Sequence, residues 1–499
     1  MPRGHSALVA LAFTLGLVAA ACAEDPPSNT PTPTSTRLPV FATATTATPE
    51  ASATTRLTNG EVSTLLQQLL CWYTDPELAA NCLPVGPSEA ELLAQVAESA
   101  DERFVAPLVD MLWLELGWER WVQEALTAIT GEKFVDGYSW SAWIAIERPP
   151  LPDGYVEWKG RLLSLVDPRF TDLLSANQLL GVRPDELVWS RVAIDEQTPL
   201  ETPETVHREE ERYLASDDVV FGVFLNGEAR AYPQRIVAWH ELVTDEVGDR
   251  PLIVTNCVPC GGTAVYEATA SDGTAYDLGN SGLVYRSRRL FYDEQTNSLW
   301  DQVTGDAIGG EALLAGASLT PVPVLRLTWG EWSTRHPNTT VLSLDTGTVR
   351  NYDPGAALAE ELASERPLFP APVPAEIGVD AKARVLGVEI GGVARAYPLA
   401  IIEAAGIVHD TLAGQDVALV SRGAGLGVSV YREHDIAFAF LQGSLDALEI
   451  VDSERERWFL DEEVLVNVID SRLRRAIPVR IAYWFAWADA FPDTSLWEG

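Results

Sequence analysis

The sequence predicts an α+β protein: an N-terminal module of helical hairpins is followed by two tandem copies of a β-rich domain, the second of them degenerate. Residues 58–150 repeat apolar side chains at the spacing of helices. From about residue 185 short apolar runs alternate with Gly, Asn and Asp turns, which is typical of strands. Residues 220–266 then align with 385–431 without a gap, with 15 identities in 47 positions. This self-similarity indicates an internal duplication.

Composition limits the classes of protein that fit. The chain has 499 residues, of which 47% are hydrophobic and 21% charged, as in globular proteins rather than disordered ones. Asp and Glu outnumber Lys and Arg by 72 to 35, which gives a formal net charge of −37. Such a surface repels phosphate backbones and anionic headgroups, so we expect no nucleic-acid partner and no electrostatic membrane docking. Five cysteines are too few for a scaffold built from disulfides.

The N-terminus carries the pattern of an export signal. Residues 1–21 contain one early arginine, a short apolar stretch and three small residues directly before Cys22. We interpret them as a signal peptide and Cys22 as a lipidation site, because this arrangement resembles the cleavage site of bacterial lipoproteins. An ordinary signal peptide followed by an incidental cysteine is the alternative.

Residues 22–57 are rich in Pro and Thr and predict a disordered, lipid-anchored tether, since they hold too few large apolar side chains to fold. We therefore expect an exported protein on the extracytoplasmic face of the cell membrane. In this interpretation it contacts the membrane through its N-terminal lipid only.

The helical module at 58–150 contains the signals of several short helices. Ser88 and Glu91 have the spacing of a capping box. Cys71 and Cys82 lie close together in this exported region, and we predict a structural disulfide between them. A protein partner, in this interpretation, docks through the helical module.

The duplication divides the rest of the chain into a first β-rich domain at 160–365 and a second, degenerate copy at 375–499. Both contain the motif Gly-x-Ala-Arg-Ala-Tyr-Pro. We expect each copy to fold as twisted antiparallel strands with a short helix that starts at Pro233 or Pro398, because proline suits the first helical turn. The Pro-rich stretch 367–374 should join the copies, which should superpose and pack against each other.

Residues that the fold requires should occur in both copies, so the duplication acts as an internal control. Four reactive side chains occur in the first copy alone: His240, Glu241, Cys257 and Cys260. The matched positions of the second copy hold Ala405, Gly406, Arg422 and Gly425. We therefore predict that the four form a catalytic site. The alternative is a core histidine and a local disulfide that the second copy replaced by repacking.

Longer motifs identify a family. The runs Gly-Val-x-x-Asn-Gly-x-Ala-Arg-Ala-Tyr-Pro at 222–233, Trp-His-Glu at 239–241 and Asn-Cys-Val-Pro-Cys-Gly-Gly-Thr-Ala at 256–264 occur in this order. Ser-Gly-Leu-Val-Tyr-Arg-Ser at 281–287 and a polar, aromatic run at 292–302 follow. Together they resemble an uncharacterised bacterial family, domain of unknown function 3179, strongly in the first copy and weakly in the second. The resemblance implies exported proteins with a Cys-x-x-Cys motif and a His-Glu pair, without an established activity.

The Cys-x-x-Cys pair has three interpretations. As a redox dithiol, Cys257 and Cys260 exchange disulfides while His240 stabilises a thiolate. As a metal site, these three residues bind zinc or copper, with Asp293, His336 or the neighbouring glutamate as a fourth ligand. As a structural disulfide, the cysteines brace a loop. The sequence leaves all three open.

The polar, aromatic run after residue 291 also has two interpretations. In the first, Tyr292, Asp293 and Trp300 form the wall of a pocket beside the cysteines. In the second, the run is a turn between two strands, in which Asp293 and Thr296 bond the backbone.

Two functions follow. The first is a membrane-tethered extracytoplasmic lipoprotein that handles thiol redox chemistry or a metal at Cys257, Cys260 and His240. The second is a non-enzymatic binding or scaffold protein whose cysteine pair is a structural disulfide. A His240 ring next to a cysteine sulfur in a concave pocket favours the first, and a histidine placed elsewhere favours the second.

Overall fold

The structure is a computed structural model of the chain. It describes residues 57–71, 88–374, 379–421, 423–432, 437–440, 449–460 and 462–499. These residues belong to one compact unit. The predicted signal peptide, Cys22, nearly all of the tether and Cys82 lie outside them. Within the described residues, no helix has both the length and the apolar composition needed to cross a membrane.

Helices fill the N-terminal part of the described chain and recur singly among the strands. The N-terminal set is α1 (Asn59–Cys71), α2 (Glu89–Ser99), α3 (Val105–Trp113), α4 (Glu119–Thr130), α5 (Gly137–Glu147), α6 (Tyr155–Leu163) and α7 (Phe170–Leu173). The later helices are α8 (Gln234–His240), α9 (Gly310–Ala315), α10 (Trp329–Arg335), α11 (Ala359–Ala363), α12 (Leu399–Ala405) and α13 (Trp484–Ala490).

The predicted capping box begins α2, where the Ser88 side chain accepts from the Glu91 amide and the Glu91 side chain accepts from the Ser88 amide. Cys71 ends α1 and is disulfide-bonded. Its predicted partner Cys82 lies outside the described residues, so this pairing stays a prediction.

The helical module extends past the predicted boundary at 150. Tyr155 and Trp158 of α6 pack into the same apolar core as α1 to α5, which draws the chain into further helix. Lys159, only 1% exposed, donates to Asp110 at 2.7 Å and also to the Leu187 carbonyl. This buried contact fastens the helices to the strand that follows them.

The strands of the first half are β1 (Leu187–Trp189), β2 (Leu200–Glu201), β3 (Thr205–His207), β4 (Val219–Leu225), β5 (Glu228–Pro233), β6 (Leu242–Val247), β7 (Arg250–Cys257), β8 (Gly262–Glu267), β9 (Leu278–Tyr285), β10 (Arg288–Asp293), β11 (Leu299–Asp301), β12 (Pro321–Val322), β13 (Leu325–Thr328) and β14 (Thr340–Leu342). Those of the second half are β15 (Arg384–Ile390), β16 (Val393–Pro398), β17 (Ile407–Leu412), β18 (Gln415–Ser421), β19 (Val428–Arg432), β20 (Phe438–Phe440), β21 (Glu449–Asp452), β22 (Arg457–Leu460), β23 (Val464–Asn467), β24 (Leu473–Arg475), β25 (Val479–Tyr483) and β26 (Ser495–Leu496).

Among the described strands, the largest sheet has the order β2-β6-β7-β8-β25-β15-β16-β26, with β12 added to β8. A second sheet has the order β13-β4-β5-β14-β3. Smaller sheets are β1-β9-β10-β11, β17-β18-β19 and β20-β21-β22-β23-β24. Pairing is antiparallel except between β2 and β6, β5 and β14, and β16 and β26. The α+β prediction is confirmed.

The duplication is visible in the order of elements. The first copy runs β4, β5, α8, β6, β7, β8 and then β13, α10, β14. The second runs β15, β16, α12, β17, β18, β19 and then β25, α13, β26. The predicted short helix follows the motif's proline in both copies, because α8 starts directly after Pro233 and α12 directly after Pro398.

The two copies are joined in one sheet, where the sequence predicted two domains in tandem. Strand β25 of the second copy pairs with β8 of the first inside the largest sheet. The Tyr483 amide donates to the Cys260 carbonyl at 2.8 Å, and the Thr328 amide donates to the Gly425 carbonyl at 2.9 Å. Tyr483 and Thr328 are equivalent positions of the two copies, and so are Cys260 and Gly425. Each copy therefore donates to the other through the same backbone amide and satisfies a carbonyl at its edge.

Both copies keep a polar trio, which is buried in the first copy and partly buried in the second. Arg230 donates to Asp245 at 2.6 Å, and the Tyr232 hydroxyl donates to the same carboxylate at 2.8 Å. The second copy repeats the trio as Arg395, Asp410 and Tyr397. The arginine of the shared motif is therefore part of the framework.

Candidate functional site

Cys257 and Cys260 lie where β7 turns into β8 and are joined by a disulfide, with their Cα atoms 5.4 Å apart. Both residues are 0% exposed. The Cys257 sulfur accepts from the Cys260 amide at 3.2 Å and from the Arg289 amide at 3.4 Å. The space next to Cys257 measures about 10 Å³, room for a single water at most. The disulfide is thus enclosed by protein.

His240, the last residue of α8, is fully buried, and its ring bonds to residues other than the cysteines. Its Nδ1 lies 2.6 Å from the Thr198 carbonyl oxygen and its Nε2 lies 2.7 Å from the Tyr352 hydroxyl. A carbonyl can only accept, so Nδ1 carries the hydrogen and Nε2 accepts from Tyr352. Burial lowers the pKa of His240, although the Thr198 carbonyl opposes this. His240 therefore holds two loops together as a neutral ring.

Glu241 directly follows α8 and has the left-handed conformation, with φ 58°. Its matched residue Gly406 also has a positive φ, 82°. A left-handed backbone favours glycine, so the first copy keeps a strained glutamate where the second has the unstrained residue.

The Glu241 carboxylate is buried in an ion pair with Arg289 of β10, whose Nη2 lies 3.1 Å from Oε1. Burial raises the pKa of Glu241, while Arg289 and hydrogen bonds from the Val258 amide and the Gln197 side chain oppose that rise. The pair places a carboxylate and a guanidinium side by side, shielded from bulk water.

A cavity of about 1040 Å³ opens above this pair. Its base contains Glu241 and Arg289 together with Val258 and Pro259, the two residues between the cysteines. Its walls come from the helical module, the end of α8 and the segment at 357–369. The apolar residues Val258 and Pro259 of the Cys-x-x-Cys turn thus line the cavity, whereas the two cysteines do not.

The zinc or copper site expected from Cys257, Cys260 and His240 is not assembled. Among the described residues, no group of three His, Cys, Asp or Glu side chains is placed to hold a metal ion. The sulfurs bond to each other and the histidine nitrogens bond elsewhere. His336, one of the proposed fourth ligands, has other contacts: its Nε2 lies 3.3 Å from Oε2 of Glu462, and its ring stacks on Phe224.

The residues expected to wall a pocket do not line the cavity. Asp293 instead accepts from the Thr296 amide at 2.6 Å and from the Trp300 indole at 3.0 Å, as a turn between β10 and β11 requires. Tyr292 donates to Asp195 at 2.7 Å. These contacts match the turn interpretation, and the rings of Tyr292 and Trp300 belong to apolar cores.

Sequence reasoning missed Arg289 and the contribution of the helical module to the site. One signal was present, since Arg289 directly precedes three apolar or aromatic residues, 290–292, of a strand. A charged residue between buried neighbours usually has a buried partner. Nothing in the sequence identified that partner as Glu241.

The chain was also compared with known proteins. Residues 197–494 match the family described as protein of unknown function (DUF3179). A search of curated proteins and a search of solved structures each found no match. The matched span contains the base of the cavity and both copies of the repeat, and the helical wall precedes it. Since the match covers more than half of the chain, the protein belongs to this family of unknown function, DUF3179.

Proposed function

We propose that the protein is an extracytoplasmic, lipid-anchored binding protein that takes a small molecule into the cavity between its helical module and its first β copy. One observation carries this proposal. The tip of the disulfide turn, Val258 and Pro259, forms the base of the cavity with Glu241 and Arg289, while the sulfurs are enclosed. In this function the disulfide is a brace.

The cavity has the properties of a ligand site. Its volume of about 1040 Å³ lies at the upper end of the range of small-molecule pockets. Such pockets combine apolar walls with a few fixed polar groups. The ion pair of Glu241 and Arg289 supplies those groups on two rigid elements, α8 and β10. The turn between the cysteines is restrained by the disulfide and by Pro259.

The location rests on the sequence. Cys22 after a signal-like segment supports lipidation, and the tether at 22–57 would hold the cavity away from the bilayer. Labelling cells with a radioactive fatty acid tests it: the wild-type chain should carry label and Cys22→Ala should not. A labelled C22A chain would contradict the anchor.

Binding is tested with the detergent-solubilised full chain in a thermal-shift screen against a library of polar metabolites. Hits should raise Tm in the wild type but not in Val258→Trp, in which the larger side chain fills the base of the cavity. Val373→Trp is the matched control, because Val373 is 54% exposed and does not line the cavity. A screen without hits, or hits that V258W retains, would overturn the proposal.

A second candidate, thiol–disulfide exchange, is favoured by the two amides that point at the Cys257 sulfur. Hydrogen bonds of this kind stabilise a thiolate. In that reaction the reduced Cys257 thiolate attacks a partner disulfide, and Cys260 then resolves the mixed disulfide, releasing the partner as a dithiol. Mild reduction followed by alkylation under native conditions tests it. Labelling faster than global unfolding supports exchange, and labelling only on unfolding supports the brace.

A further inference from the structure

We propose that the ligand of this cavity is a neutral, polyhydroxylated compound of the saccharide type, held by its hydroxyl groups at Arg289 and Gln197. The inference rests on the proposed binding function and names its ligand class. It follows from three features of the cavity: the polar atoms left over at its base, the balance of charge in its lining, and its aromatic walls.

The base holds buried polar atoms that lack a hydrogen-bond partner among the described residues. Arg289 is 4% exposed, and its Nη1 donor is one of them. The Gln197 Oε1 acceptor is another, and both residues line the cavity. Buried polar atoms are normally hydrogen-bonded, so these atoms favour a ligand that supplies partners. A hydroxyl group can accept from Arg289 and donate to Gln197.

The charges of the lining argue against anions. It contains six carboxylate side chains and three guanidinium groups, in a chain of formal charge −37. The resulting potential repels a phosphorylated or carboxylated ligand.

The base argues against cations and zwitterions. The charges of Glu241 and Arg289 already neutralise each other in an ion pair, which a charged ligand group would have to break. A cation would also meet positive charge at the aromatic rings, because Arg191, Arg366 and Arg350 lie over Trp113, Tyr138 and Trp239 at 5.6, 3.9 and 6.0 Å. A neutral ligand requires no change in these contacts.

The exposed parts of two of these rings also suit the apolar faces of a sugar. Trp113, Tyr138 and Trp239 all line the cavity, and the last two are partly exposed. Flat apolar surface next to polar groups matches a ring that has hydroxyls at its edge and C–H bonds on its face.

The experiment applies the detergent-solubilised full chain to a glycan array that carries neutral and anionic glycans. Calorimetric titration then uses the best glycan, spermidine as a cation, glucose 6-phosphate as an anion and glutamine as a zwitterion. We expect binding of neutral glycans alone. Gln197→Ala, at a half-buried position, should weaken binding about three- to tenfold through the loss of one hydrogen bond. Gln295→Ala, outside the cavity, should leave the affinity unchanged.

The other outcomes separate the two proposals. If spermidine, glucose 6-phosphate or glutamine binds and Val258→Trp abolishes this binding while neutral glycans do not bind, the saccharide inference is overturned and the binding function stands. If neutral glycans bind equally well to V258W, they bind elsewhere and the inference is overturned. If no probe binds and the metabolite screen gives no hits, both proposals fall.

Discussion

The two copies of the repeat share a framework and differ in what they place on it. Strands, helix and the Arg–Asp–Tyr trio recur in the same order in both. At the end of the short helix, however, the first copy has Glu241 where the second has Gly406, both at positive φ. The charge partner of Glu241, Arg289, comes from the segment that follows β8 and not from the repeat itself. The comparison teaches that the repeat supplies rigid backbone and that the candidate site arises from additions to one copy.

The copies also differ in how deeply the arginine and aspartate of the trio are buried. The side chains of Arg230 and Asp245 are 10% and 5% exposed, while those of Arg395 and Asp410 are 25% and 15% exposed. A charged group in the first copy therefore depends more strongly on its partner.

Breaking the pair that only the first copy has should give the largest effect. Glu241→Ala leaves the Arg289 guanidinium buried without a counter-charge and should lower the free energy of unfolding by about 3–5 kcal/mol. Urea denaturation measures this. Glu241→Gly should be about 1 kcal/mol less harmful than the alanine variant, since glycine adopts the left-handed backbone freely. The double variant Glu241→Ala/Arg289→Met should lose less than E241A alone. An E241A variant within 1 kcal/mol of wild type would show that the pair is not buried as described.

Glycine-to-alanine substitutions at equivalent positions of the framework should lower the free energy of unfolding equally in the two copies. A Cβ added at Gly222 would lie 2.4 Å from the Trp332 ring, and one at Gly387 would lie 2.1 Å from the Trp487 ring. Gly222→Ala and Gly387→Ala should each cost about 3 kcal/mol, because a buried indole has little room to move. Gly60→Ala is a control, since Gly60 lies in the first turn of α1 without a positive φ and its Cβ would have no neighbour closer than 4.0 Å. Denaturation curves that show a loss in one copy only would break the proposed equivalence.

Removing the disulfide should have a moderate effect. The double variant Cys257→Ala/Cys260→Ala should stay folded, because the second copy repeats the hydrogen bond of this turn, from the Leu426 amide to the Gly423 carbonyl, without cysteines. It should lose about 2 kcal/mol, as expected for so short a loop. We also expect weaker ligand binding, since Val258 and Pro259 lose their brace. Thermal melts and calorimetry test both parts. Complete unfolding of the variant would instead make the disulfide a condition of folding, and unchanged affinity would separate it from the site.

The smallest expected effect is a pH dependence of stability due to His240. Burial lowers its pKa below the ordinary value of 6.5, so the unfolded chain binds a proton that the folded chain does not. Stability should therefore fall as the pH drops below about 6.5 and level off below the pKa of the folded state. Glu241 has a raised pKa and acts in the opposite direction, with stability falling as pH rises above its ordinary value.

The difference in unfolding free energy between wild type and His240→Asn, measured from pH 5 to 8, isolates the histidine. The carboxylates contribute to both proteins and cancel. In the second copy the matched residue is Ala405, so Ala405→Asn is the control and should show no such pH-dependent difference. A wild-type-minus-H240N difference that stays constant over this range would contradict a buried neutral ring.

Local patterns predicted much of the fold. The capping box at Ser88, the helix after Pro233 and the turn at Asp293 depend on residues within a few positions of each other. The sequence predicted the first two and offered the turn as one of two interpretations. Helix continues past the predicted boundary at 150, because Tyr155 and Trp158 pack in the helical core, which periodicity does not show. The site was predicted only in part: Glu241 lies at the cavity base, whereas the two cysteines do not line the cavity and His240 bonds to other loops.

The sequence by itself determined the family, the duplication and the short list of side chains that the two copies do not share, because each of these is a comparison of residue order along the chain. Only the tertiary structure decided how those side chains are used. Neighbours in sequence, His240 and Glu241, bond to different parts of the molecule, since the backbone turns into the left-handed conformation between them. Arg289 meets Glu241 across a separation of 48 residues. Contacts of that range follow from how sheets and helices pack, which no local pattern encodes.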